Sequence, residues 1–90
     1  MDGLRAADAY QWRLIEAATV TGLSVHELWC RYLAASGAAD AFEVEAYLSG
    51  LATMSVLDHN ILTLVVNERL EEMGHRGAAP YRPAGTPSLS

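Results

Sequence analysis

Apolar positions along this chain recur three and four residues apart, and strict alternation of apolar and polar residues never persists. That spacing predicts helices rather than strands, and hence an all-α fold. A first helix is expected from about Ala6 to Thr19, with Leu14, Ile15 and Ala18 facing inward, Trp12 or Tyr10 completing the stripe, and Thr21 and Gly22 ending it. The second helix has the clearest start. Ser24 can cap the free amide three residues on while Glu27 reaches back to the Ser24 amide, and Leu23 and Leu28 have the spacing of a hydrophobic staple. Val25, Leu28, Trp29, Tyr32 and Leu33 then share a face, and Gly37 is expected to supply the left-handed residue that stops the helix.

Asp40 with Glu43 repeats the capping box in front of a short third helix, for which Phe42, Val44, Tyr47, Leu48 and Leu51 provide apolar material up to Gly50. Ser55 with Asp58 opens a fourth and longest helix through about Met73, with Leu57, Ile61, Leu62, Val65, Val66 and Met73 in a wide stripe and Gly74 closing it. Beyond Gly77 the chain turns to glycine, alanine, proline and serine, with little apolar side-chain area to offset the ordering of its backbone. The expected architecture is therefore a small bundle of about four helices over residues 1–76 and a flexible, disordered tail over residues 77–90. The prolines of the tail give the P-x-x-P spacing of a docking ligand once only.

Charge sharpens this picture. The formal net charge of the chain is −5, but between Leu14 and His75 nine carboxylates face only Arg31 and Arg69. A body this acidic repels a phosphate backbone and favours a basic or apolar partner surface. No apolar run reaches the ~20 residues of a membrane span and no cationic leader is evident, so a soluble, cytoplasmic protein without membrane contact is expected.

Candidate chemistry is sparse. His26, His59 and His75 each have a carboxylate nearby in sequence, and Glu72 with His75 has the E-x-x-H spacing of di-iron helices. Only one such motif is present and Gly74 interrupts it, so no metal site is expected and the histidines are read as solvated groups near helix ends. Cys30 is the single cysteine, which excludes an intrachain disulfide, and its place between Leu28 and Leu33 suggests a small core or interface residue. With no phosphate loop, nucleophile elbow or paired-carboxylate site, neither an enzyme, a cofactor nor a small-molecule substrate is expected.

Two resemblances add to this. The stretch from Ala17 to Thr21 followed by Gly22, Leu23, Ser24, Val25, His26, Glu27, Leu28 and Tyr32 resembles the helix-turn-helix opening of MerR-type regulators, which implies DNA reading by the second helix. That family presents Arg and Lys to DNA, whereas this helix offers Arg31 alone. More loosely, Leu23 to Glu72 is similar to short all-helical proteins of actinobacteria, a likeness that implies a bacterial cytoplasmic setting and assigns no site.

The remaining signal is a surplus of large apolar residues. Tyr10, Trp12, Trp29, Tyr32, Phe42 and Tyr47 crowd the first half of the chain, and large aromatics left in part exposed are typical interface anchors. The expected function is a non-enzymatic protein-interaction or regulatory module, homodimeric or bound to a protein partner through Trp29, Tyr32, Leu33, Leu62, Val66 and Leu70. The alternative is a helix-turn-helix DNA-binding transcriptional regulator.

Overall fold

A computed structural model describes residues 7–83. Four helices form, α1 (Ala9–Val20), α2 (Val25–Ala34), α3 (Ala41–Leu48) and α4 (Val56–Glu72), and no strand occurs among the described residues. Both capping boxes are complete. The Ser24 amide donates to Glu27 Oε1 at 2.8 Å while the Glu27 amide donates to Ser24 Oγ at 3.1 Å. Asp40 and Glu43 repeat the exchange at 2.9 and 2.8 Å. The first helix starts three residues later than its apolar pattern suggests, because the Asp8 side chain accepts the Gln11 amide and so sets the boundary.

The helices pack around a ring rather than in chain order. α1 lies against α3 and α4, and α2 lies against the same two, while α1 and α2 make no close approach and neither do α3 and α4. The core contains Leu14 and Ala18 of α1, Leu28 and Tyr32 of α2, Val44 and Tyr47 of α3, and Leu62, Val65, Val66 and Leu70 of α4. At its entry to α2 the chain is held to α4 by Arg69, whose Nε donates to the Thr21 carbonyl at 3.3 Å.

Several expected inward positions are corrected. In α1 the buried stripe is Gln11, Leu14 and Ala18, and Trp12 lies half exposed. The Gln11 Nε2 donates to the carbonyls of Tyr47 (2.8 Å) and Ala52 (3.0 Å), so a polar side chain ties α1 to the end of α3. Gln11→Leu keeps the bulk but removes the side-chain donor from both carbonyls, of which that of Tyr47 keeps the Gly50 amide. It should lower stability by about 1–3 kcal/mol, read as a fall in the urea midpoint at constant slope. Leu57 of α4 and Met73 at its C-cap face solvent, while His59, expected to be solvated, is fully buried. Cys30 is exposed rather than packed, with Sγ 3.6 Å from His26 Nε2.

The stop after α2 also differs from expectation. Ser36, not Gly37, adopts the left-handed conformation, at φ 79°. Gly37 is required for space instead, since a Cβ placed there would overlap the Tyr32 ring. That ring is fixed at its hydroxyl, which donates to Asp58 Oδ1 at 2.6 Å and accepts the amides of Ala38 (3.1 Å) and Ala39 (2.8 Å). One buried phenol thus joins α2, the α2–α3 loop and the start of α4.

The expectation of a free tail from residue 77 is overturned for its described part. Ala79 is buried and residues 79–82 lie as an extended strap along α4. The strap carries little apolar area, as expected, but polar side chains hold it. The rest of the expected tail, residues 84–90, lies outside the described residues, as does the expected first turn at Ala6.

Candidate functional site

The residues expected to form an interface do not come together on the surface. Tyr32, Leu62, Val66 and Leu70 are at most 2% exposed and belong to the core. The surplus that placed them at an interface is absorbed because α4 is packed on two sides, by α1 and by α2, and so buries a wider arc than one stripe. Trp29 is half-buried, with its Nε1 donating to the Ala39 carbonyl at 3.1 Å and its ring tilted against His26. Leu33 is exposed, but without the other five it makes no face.

The most exposed large apolar side chains among the described residues are instead Phe42 of α3, Leu51 in the loop after it and Leu57 at the start of α4. Phe42 is 77% exposed and lines a cleft of about 480 Å³ between α3 and the loop leading to α4. Ala39, Ala46 and Met54 extend the apolar wall, and Glu43 and Asp58 supply carboxylates within it. Leu51, immediately before the loop residues that line the cleft, and Leu57, two positions after them, are 79% and 69% exposed. Single exposed apolar side chains are ordinary, whereas an aromatic beside a cleft with further bare leucines is the pattern of an interaction site.

Both carboxylates are held in place. The Glu43 side chain accepts the Asp40 amide within the capping box. Asp58 accepts from the Tyr32 hydroxyl, from Ser55 Oγ at 2.9 Å and, more distantly, from the Ala38 amide. The Tyr32 hydrogen bond above all holds the Asp58 carboxyl below its ordinary 3.8, so the cleft keeps a fixed negative charge at neutral pH. The helical wheel could have separated Phe42 from the core. Val44, Tyr47 and Leu48 cluster on one face, and Phe42 lies about 160° round from Val44 at about 100° per residue.

A second constellation lies on another side of the bundle, under the strap. His59 Nδ1 is 2.5 Å from the Tyr47 hydroxyl, and the two rings meet edge to face. Arg82 closes over them. It donates to Asp8 Oδ2 at 2.7 Å and Asp8 Oδ1 at 2.9 Å as a fork, reaches the Tyr47 hydroxyl at 3.3 Å, and stacks 5.2 Å from the centre of the Tyr10 ring. With Arg82 donating to the Tyr47 oxygen, the phenolic proton is directed at His59 Nδ1, which leaves the ring proton on Nε2. Nε2 is buried, and the Pro80 backbone favours a proton on the ring but does not offset the burial.

Electrostatics follow from this packing. Burial, assisted by the positive charge of Arg82, lowers His59 from 6.5 to about 4, so the ring is neutral at physiological pH. Burial likewise raises the Tyr47 hydroxyl. The Arg82 fork holds Asp8 below the ordinary carboxylate value, and Arg82 itself is pushed up by Asp8. The cluster is a closed polar knot, with His59 fully buried beneath Arg82 and Tyr47.

The other expected site features are dispersed. Glu72 pairs with Arg31 and Arg69, each at 3.5 Å, and α4 ends there, before His75. Among the described residues no three His, Cys, Asp or Glu side chains gather as a metal-binding group, and no helix is long and apolar enough to cross a membrane. In comparisons with family models, curated proteins and solved structures the chain matches none.

Proposed function

We propose that this chain is a non-enzymatic protein-interaction module that docks an apolar, basic segment of a partner protein on its α3 face. The observation that carries the reading is Phe42, which contributes almost nothing to the core, lines a cleft, and stands beside the fixed carboxylates of Glu43 and Asp58. Apolar area of this kind returns about 25 cal/mol per Å² when covered, and the carboxylates select a partner bearing Arg or Lys. The setting is taken to be cytoplasmic.

A fluorescently labelled amphipathic peptide of leucine and lysine serves as the probe. It is expected to bind, and Phe42→Ser should weaken binding about tenfold or more while leaving the thermal midpoint unchanged, because the ring is already in water. A leucine–glutamate peptide of the same pattern should not bind. Equal binding by Phe42→Ser, or none by the parent chain, contradicts the reading. Light scattering gives the self-association outcome, since a dimer broken by Phe42→Ser would make the occupant a second copy.

The DNA-binding alternative has less support. Arg31, the one cation of α2, is engaged with Glu72, and the Glu27 side chain is committed to the helix cap. No retention of a mixed-sequence duplex is expected even at low ionic strength, where phosphate contacts are strongest. Salt-sensitive retention lost on Arg31→Ala would replace the present reading.

A further inference from the structure

The sequence holds three side-chain amides, Gln11, Asn60 and Asn67, and each is used on main-chain groups of a distant segment. The two asparagines act as a matched pair. Asn67 Nδ2 donates to the Ala79 carbonyl at 3.0 Å, and its Oδ1 accepts the Ala79 amide at 2.8 Å. Asn60 does the same to Arg82, at 3.1 and 2.8 Å. Each amide therefore reads both backbone groups of one residue, as a neighbouring β-strand would.

The spacing explains why the pair works. Seven residues of α-helix advance about 10.5 Å, and three residues of extended chain cover about 9–10 Å. Asparagines two turns apart on one helix face are thus in register with every third residue of an extended peptide, here running antiparallel to α4. Backbone pairing of this type is indifferent to side chains, so sequence preference falls to two positions. One is Ala79, buried where only a small side chain stands; the other is Arg82, whose guanidinium fills the slot formed by Asp8, the Tyr47 hydroxyl and the Tyr10 ring.

We infer that the groove along α4 is a binding site for an extended, arginine-bearing peptide of a partner protein, with a small residue three positions before the arginine, and that residues 79–82 occupy it as a tethered stand-in. The strap suits that part. Ala79 is its one buried residue, Tyr81 is about half exposed, and residues 74–78, which connect it to α4, are all exposed and include Gly74 and Gly77. Little apolar area is lost when it lifts, so opening need not unfold the bundle. The slot it leaves, with the Asp8 carboxylate and two unpaired amides, favours refilling by a chain of the same chemistry. This site is separate from the α3 cleft and does not depend on the reading of that face.

The test uses the full chain and a labelled peptide of residues 77–83. A tethered competitor acts at an effective concentration of about millimolar, so the parent chain should bind the probe weakly. Arg82→Ala empties the slot and keeps both asparagines, and should bind the probe at least about tenfold more tightly than the parent. Adding Asn67→Ala, or replacing the arginine of the probe by alanine, should remove that gain. No binding by a folded Arg82→Ala chain, or equal binding by parent and variant, overturns the proposal. So does a parent dimer that Arg82→Ala dissolves, because the occupant would then be a second copy.

Should Arg82→Ala fail to fold, amide exchange in the parent chain decides instead. The Ala79 and Arg82 amides, held only by asparagine side chains, are expected to exchange at least about a hundredfold faster than those of Leu62 and Val66 in α4. Exchange of all four at one rate would mean that the strap opens only with the whole domain, and the groove could not admit a ligand.

Discussion

Lowering the pH from 7 to 4 is expected to cost the fold about 3 kcal/mol, through one residue. His59 binds a proton at about 4 in the folded protein and near its ordinary 6.5 in the unfolded chain. Between these values the unfolded state holds more protons, so acid favours it by up to about 1.4 kcal/mol per pH unit. The stabilisation from keeping His59 neutral is complete above 6.5 and gone once the pH has fallen through about 4. Tyr47, Arg82, Asp8 and Tyr10 are the titratable or charged groups around the ring, and Arg82 adds to the cost of a positive imidazole.

Urea midpoints taken across this range should fall steadily. His59→Gln, which can still accept from the Tyr47 hydroxyl, should flatten the dependence even if its stability at pH 7 is lower. Asp8 and Asp58, both held below 3.8, begin to lose their contributions only at the acid end of this range and lose most of them below it, so they do not imitate the effect. A His59 resonance titrating near 6.5 in the folded chain would be the contrary result.

Gly37→Ala should cost about 3 kcal/mol, at the upper end of what overpacking usually removes. The added methyl would overlap the far end of the Tyr32 ring, and the ring has no room to yield because Asp58, Ala38 and Ala39 fix its hydroxyl. Gly37 contributes through emptiness rather than backbone freedom, and a double-mutant cycle separates the two. In a Tyr32→Leu background, which removes the obstructing ring, Gly37→Ala should cost nearly nothing. If the cost survived, the requirement at Gly37 would lie in the backbone.

These two effects mark where the sequence was legible and where it was not. Helices and their starts could be read because capping is local: Ser24 with Glu27 and Asp40 with Glu43 announce themselves over four residues, and the structure completes both boxes. What escaped were polar residues whose partners lie far along the chain. Gln11 sits on the Leu14 and Ala18 stripe, and His59 on the inner side of α4, but a polar residue reads as solvated until a distant carbonyl or phenol is known to meet it.

The strap escaped for the same reason. It is poor in apolar side chains, as its composition predicts, yet its order comes from Asn60, Asn67 and the Arg82 fork. Two asparagines seven apart in the middle of a helix, where asparagine is a poor former, were the available signal. Tyr32, Leu62, Val66 and Leu70 lie in the core and not at an interface, because α4 buries more apolar residues than a single stripe would hold. The ring-like packing order, which lets α4 bury both sides, is a property of the whole chain and not of any segment.

Docking on the α3 cleft can be mapped by the amide chemical shifts of the full chain titrated with the leucine–lysine peptide. The shifts should concentrate on residues 38–46 and 52–58 and vanish in Phe42→Ser. Shifts concentrated instead on residues 25–34, or unchanged by Phe42→Ser, would contradict it.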